Sequence, residues 1–263
     1  MLEALYEREI HADMIVGTSV GAINGAFIAS RPPTIETARE LQALWRGLSR
    51  GQVFPANPLS AGLGLLGVRD HVVPVGPLRR LLQRHVAFEA LEDAAVPTHV
   101  IAADVLTGEE VRLSSGPAVE AILASAAVPG VFPSVSWRGR RLMDGGAINN
   151  TPISHAVELG ADRVIVMAAI GSGQRARPPH GALASGLVAI SHIIARRLAE
   201  DIARYQSLVE LVVLPSPTTA NLPTDFTCSE ELIADGLRRA RWMLTRRGCA
   251  RGRRGAARLQ RVA

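Results

Sequence analysis

The chain contains no lysine, so all 29 of its basic residues are arginines. That absence points to a compositional bias toward alanine and arginine, which accounts for much of the arginine-rich end. Cysteine is nearly absent as well. Cys228 and Cys249 are the two present, and neither has a second cysteine or a histidine at metal-ligand spacing. A disulfide scaffold is therefore excluded, no metal site is expected, and a reducing, cytoplasmic setting is favoured. No uninterrupted apolar run approaches ~18 residues, so no membrane-spanning helix is expected. The start does not read as a signal peptide either: Glu3, Glu7, Arg8 and Glu9 stand where a basic and then apolar leader belongs.

Acidic residues are missing from the C-terminal end. All 24 lie at or before Asp235, whereas 10 of the 29 arginines lie from Arg238 onward, leaving a body of net −5 and an end of +10. A nucleic-acid-binding domain sets its basic residues on a folded face beside aromatic or polar readers. Here they sit in a Gly/Ala/Arg stretch, so residues 246–263 are expected to form a disordered basic tail and no specific nucleic-acid partner is expected. Contact of that tail with an anionic lipid surface or, non-specifically, with nucleic acid is the electrostatic alternative.

What is present suits one large α/β domain over residues 1–245. The chain has 263 residues, 48% of them hydrophobic, and a mean hydropathy of +0.17, enough to fill a core and too apolar for wholesale disorder. Residues 13–16 form a short apolar run that stops at Gly17, which suits a buried strand. Residues 21–30 read as a helix of small residues closed by Arg31-Pro32-Pro33, and Thr34 can cap the next helix, to residue 48. Residues 49–77 lose periodicity. A helix from Pro77 to residue 86 follows, then a hairpin of residues 99–106 and 110–113 around Thr107-Gly108, a helix over 117–126 and a loop with short extended pieces over 129–141. A helix over 152–159, a strand over 163–169, a helix over 183–208, a strand over 210–214 and a helix over 229–245 complete the pattern. Strands alternating with helices predict a mostly parallel sheet covered on both faces.

The strongest chemical signal is Gly17-Thr18-Ser19-Val20-Gly21, placed between the predicted strand and the predicted helix. A serine hydroxyl attacks well when it projects from the backbone and its proton has an acceptor. A strand-to-helix elbow lifts Ser19, and Gly17 and Gly21 are expected to relieve crowding of the bend. The helix dipole and unpaired N–H groups then face developing negative charge. Six histidines lie downstream (His71, His85, His99, His155, His180 and His192), but none stands in a late loop just after a strand, where a triad histidine belongs. Asp144-Gly145-Gly146 supplies a carboxylate on a turn. Gly62-Leu63-Gly64-Leu65-Leu66-Gly67 matches a dinucleotide-binding pattern, yet it follows no strand and lacks the ribose-binding acid downstream, so no nucleotide cofactor is expected. Leu59 to Val75 offer apolar side chains for an acyl groove, or for simple burial under a surface loop. Asn149-Asn150-Thr151 fits a glycosylation sequon.

Three stretches carry a likeness to a known family: residues 13–26; the run Ala124-Ser125-Ala126-Ala127-Val128-Pro129-Gly130-Val131-Phe132-Pro133; and the run from Arg140 through Asp144-Gly145-Gly146 to Pro152. In content, order and separation they resemble the patatin-like phospholipase family, bacterial type, with the likeness extending from Met1 to about Leu244. The resemblance implies a three-layer αβα sandwich and a serine lipid acyl hydrolase, of esterase or phospholipase A type, working through a Ser-Asp dyad and an acyl-enzyme intermediate. Carried over, Ser19 is the nucleophile, Asp144 its carboxylate partner, and Gly17, Thr18, Val20, Gly21, Gly145 and Gly146 the motif residues around them. No metal and no cofactor are implied; the partners are a lipid or acyl-ester substrate, with peripheral membrane contact. A carboxylate of ordinary pKa, ~4, is a poor base toward an alcohol, so the site is expected to desolvate it. The family also carries a glycine-rich G-G-G-x-R/K-G oxyanion loop after a first strand, and neither is found here. The chain is therefore expected to be incomplete at its N-terminus, lacking the first strand and a full active site. The alternatives are a non-catalytic patatin-like lipid-binding or regulatory protein, and a conventional Ser-His-Asp hydrolase.

Overall fold

Small residues set how closely this chain packs around its first strand, and that closeness positions everything downstream. The computed structural model describes residues 1–55, 62, 68–168, 182–217 and 226–251. Helix α1 (Leu2–Tyr6) leads to strand β1 (Ile15–Thr18) and helix α2 (Val20–Ala29). Ala22, Ala26 and Ala29 are buried on α2, and a Cβ built on Gly25 would lie 2.8 Å from Cγ2 of Ile15, so the helix lies almost against the strand. Helix α3 (Ile35–Gly47) starts where expected, with the Thr34 hydroxyl accepting the Thr37 N–H at 3.3 Å. Short α4 (Arg50–Val53) and α5 (Gly76–His85) follow, with Pro77 in the first turn of the latter. Of the pseudo-dinucleotide segment only Gly62 falls within the described residues, and of the Leu59–Val75 stretch residues 59–61 and 63–67 lie outside them.

The hairpin expected around Thr107-Gly108 forms from β2 (Thr98–Asp104) and β3 (Glu110–Leu113), paired antiparallel. After α6 (Ala118–Ser125), the segment expected as a loop with short extended pieces pairs two of them into a second hairpin, β4 (Val135–Trp137) and β5 (Arg140–Asp144). Its two-residue turn, Arg138-Gly139, has positive φ at both positions (47° and 82°), the backbone that tight hairpins require. Such short strands leave too few residues for an alternating pattern to show. A single turn, α7 (Gly146–Asn149), and α8 (Ile153–Glu158) precede β6 (Arg163–Val166), α9 (Ala182–Tyr205), β7 (Glu210–Val213) and α10 (Ser229–Arg251). Helix α10 therefore runs past the expected end at residue 245, and residues 252–263 of the basic end lie outside the described residues.

Among the described residues the strands form two ladders. One has the order β1-β2-β5-β4 with β3 also on β2, and the other is the parallel pair β6-β7. Strand β1 runs parallel to β2, whereas β5 runs antiparallel to it. Both faces are covered, as an α/β layering demands. Ile15 packs into the cluster built with α2 and α6, while its neighbour Val16 points to the opposite cluster with Ile153, Ala156 and Tyr205. Along the second ladder Val164 and Val166 join that same cluster, and Ile165, Val212 and Leu214 turn to α1 and α10. The register then decides the site. With β3 on one edge of β2, β1 and β5 share the other: Thr18 is level with Ile101 and Asp144 with Ala102, so the parallel strand and the antiparallel one run toward each other and their last residues meet.

Candidate active site

Ser19 follows the last residue of β1 and precedes the first of α2, with φ 54° and ψ −122°. A non-glycine residue there is strained, and it persists only where its surroundings over-determine it. The elbow closes so tightly that a Cβ on Gly17 would lie 2.6 Å from the Gly21 carbonyl oxygen and 2.7 Å from the Ala22 nitrogen, both backbone. Gly21 is different: a Cβ there would meet nothing within 4 Å. Crowding thus explains the first glycine of the motif and not the second, because position 21 lies on the open side of the helix's first turn. Gly17→Ala is expected to destabilise the protein by ~1–3 kcal/mol through forced backbone displacement, whereas Gly21→Ala is expected to be neutral or stabilising by up to ~1 kcal/mol through helix propensity. Urea unfolding of the two variants side by side checks this; equal losses would show that the elbow is not the tight point.

The Ser19 hydroxyl donates to Oδ2 of Asp144 at 2.6 Å, across 125 residues of sequence. The second carboxylate oxygen, Oδ1, accepts the Gly146 N–H at 2.7 Å, and the Asp144 N–H is taken by the Ala127 carbonyl at 2.9 Å. Asp144 is 5% exposed. Burial disfavours its charge and pushes the carboxyl up to about 6 from its ordinary 3.8, partly offset by the hydrogen bonds from Ser19 and Gly146. The turn behind the carboxylate allows no side chain: a Cβ on Gly145 would lie 2.5 Å from the Ile101 carbonyl oxygen, and one on Gly146 would lie 2.9 Å from Oδ1 of Asp144.

Two buried side chains that the sequence did not single out for this role brace these elements. The Ser125 hydroxyl accepts the Ser19 N–H at 2.8 Å. Asn149 anchors the turn after Asp144: its carbonyl accepts the Thr18 hydroxyl at 2.9 Å, and its side-chain amide donates to Glu110 and Ser154, each at 3.0 Å. At 1% exposure Asn149 is closed to glycosylation, so the sequon is a packed structural residue.

The histidines go elsewhere. His71 bonds to Asp70, His99 to Ser114 and His155 to Glu110, and His85 lies against Phe27. Among the described residues no histidine hydrogen-bonds to Ser19 or Asp144, and His180 lies outside them. Nor, among the described residues, does any cluster of three or more His, Cys, Asp or Glu side chains suit a metal ion, or any helix have the length and apolarity to cross a membrane. The N–H groups of Val20 and Gly21, at the start of α2, have no carbonyl one turn back in their own helix.

Comparison with known proteins adds the family context. The family model for patatin-like phospholipases matches residues 1–157. An uncharacterized NTE family protein of Mycobacterium bovis is 32% identical over 175 residues, which make up 65% of this chain and 45% of that protein. A lysophospholipase NTE1 of Mycosarcoma maydis is 26% identical over 174 residues, 64% of this chain and 8% of the fungal protein. A lysophospholipase NTE1 of Cryptococcus neoformans is 28% identical over 174 residues, 64% of this chain and 10% of its own. The chain thus spans less than half the length of these relatives.

Proposed function

The chain belongs to the patatin-like phospholipase family, and on that premise we propose that it hydrolyses a carboxylic ester of a lipid through an acyl-Ser19 intermediate, with Asp144 as general base. One observation carries the reading: a serine hydroxyl on a strained elbow, 2.6 Å from a buried carboxylate whose affinity for protons has been raised. A base with a pKa of about 6 is mostly ionised at neutral pH yet still takes a proton more readily than an exposed aspartate does.

Oγ of Ser19 bonds to the acyl carbon while its proton passes to Oδ2 of Asp144, and negative charge gathers on the former carbonyl oxygen. The N–H groups of Val20 and Gly21 and the positive end of α2 stabilise that oxygen. Collapse of the intermediate breaks the bond to the leaving alcohol, which takes the proton back from Asp144. Water then attacks the acyl-serine, giving its proton to Asp144; the bond from the acyl carbon to Oγ breaks, Oγ takes that proton from Asp144, and the fatty acid leaves.

That two relatives are lysophospholipases supports a single-chain phospholipid as substrate class. The hairpin tip supports an ester presented at a lipid surface. Past the level of Asp144, β2 ends at Asp104 and the hairpin turn carries Val105 and Leu106, which are 42% and 86% exposed; Asp104 fixes that turn by accepting the Leu106 and Thr107 N–H groups. The test is covalent. An alkyl fluorophosphonate is expected to label the peptide containing Ser19, and lysophosphatidylcholine to release fatty acid in parallel. Label on another residue overturns the assignment, and fatty-acid binding without any label favours a non-catalytic lipid-binding protein.

A further inference from the structure

Residues 125–127, at the end of α6, grip both members of the proposed pair. The Ser125 hydroxyl accepts the Ser19 N–H at 2.8 Å and donates its own proton to the Ile101 carbonyl at 2.6 Å. Two residues on, the Ala127 carbonyl accepts the Asp144 N–H at 2.9 Å. The Ile101 carbonyl is a common seat, since the Gly145 turn presses on the same oxygen, where a Cβ would come within 2.5 Å. Ser125 is fully buried, at 0% exposure.

Ser19 sits at φ 54°, a conformation that local sequence does not favour and that must be held from outside. Its N–H is held by the Ser125 hydroxyl rather than by a carbonyl of its own strand or helix. That bond occupies the Ser19 N–H, so it is not free to serve as a donor to substrate. We infer that Ser125 is a positioning residue: it ties the nucleophile elbow to β2 and, with Ala127, sets the reach between the Ser19 hydroxyl and the Asp144 carboxylate. The inference rests on Ser19 and Asp144 being the reacting pair. Ser125 touches neither substrate nor reacting atoms, so its effect is on alignment, where a displacement of ~1 Å is worth on the order of 10²-fold in rate.

The experiment is the second-order rate of fluorophosphonate labelling from pH 4 to pH 8 for the full chain and for Ser125→Ala and Ser125→Thr, with thermal melts of each. Ser125→Ala is expected to label roughly 10–100-fold more slowly at pH 8. Its acidic limb should also move up from about 6, because a longer Ser19–Asp144 hydrogen bond no longer offsets the burial of the carboxylate. Its melting midpoint should drop by ~4–12 °C, the loss of the two buried hydrogen bonds that the hydroxyl makes. Ser125→Thr keeps the hydroxyl and should recover most of the rate. A role confined to stability predicts otherwise: rates per folded molecule within twofold of the parent and an unmoved limb, which overturns the inference. Should the alanine variant not fold, Ser125→Cys, similar in size with a feeble hydrogen bond, is read by the same two measurements. A parent labelled at Ser19 whose variants keep its rate overturns the role of Ser125 alone. A parent not labelled at Ser19 overturns the nucleophile assignment, and this inference with it.

Discussion

Replacing Asp144 by asparagine is expected to lower ester turnover by roughly 10³–10⁴-fold and, at neutral pH, to make the folded protein more stable. The amide has nearly the shape of the carboxyl and still accepts a hydrogen bond, but it cannot take the Ser19 proton. The stability gain has a separate cause. The carboxyl is 5% exposed and burial raises it to about 6 from 3.8. Because the folded-state value lies above the unfolded one, the unfolded chain releases this proton first as pH rises. Across the window from about 4 to about 6 the folded state therefore loses stability, and above about 6 it stays at the lower level. The loss is on the order of 2–3 kcal/mol, and the uncharged amide of the variant escapes most of it. Melting curves of parent and Asp144→Asn should nearly coincide at pH 4, diverge through pH 6, and stay apart with the variant higher at pH 8. A separation that does not change with pH would remove the buried charge from the explanation.

The second large effect is at the elbow. Ser19→Ala is expected to abolish labelling and to reduce turnover to background, a loss on the order of 10⁴-fold or more. Ser19→Gly should be equally inactive and yet more stable than Ser19→Ala by ~1–2 kcal/mol, because glycine reaches φ 54° without the penalty that a Cβ incurs. Both variants also delete the hydroxyl that donates to Oδ2, one of two hydrogen bonds holding the Asp144 carboxyl down, so its pKa should rise further. Denaturant titration of the two variants, together with a gel of fluorophosphonate uptake, decides the matter. Persistent labelling of Ser19→Ala, or a glycine variant no more stable than the alanine one, would count against the elbow as nucleophile or as strained site respectively.

These effects differ in how far the sequence announced them. Gly17 to Gly21 is a local statement, since a strand period, a glycine-flanked serine and a helix of small residues all fall within a few residues. Asp144-Gly145-Gly146 is a local turn, and its expected partnership with Ser19 came from family resemblance rather than from its own pattern. Ser125 was part of that resembling stretch but carried no mark of its role. Its partner is 106 residues away, and an alanine-flanked serine in a helix reads as one more small residue. Asn149 fits a sequon by pattern alone, and only its burial shows what the residue does instead. The β4–β5 hairpin and the single turn of α7 escaped because three to five residues cannot display a period, and Gly21 was credited with a steric need that its open side does not impose.

By itself the order of residues determined the bend at Ser19, the alternation of strand and helix and the tight turn behind Asp144, because these depend on backbone sterics and patterns among near neighbours in the chain. Only the tertiary structure decided that a hydroxyl and a carboxylate 125 residues apart meet at 2.6 Å, that burial lifts this carboxyl to about 6, and that Ser125 ties the meeting point to β2. Distance and desolvation belong to the packed neighbours a residue acquires on folding, and strand register, the antiparallel return of β5 along β2, sets which neighbours those are.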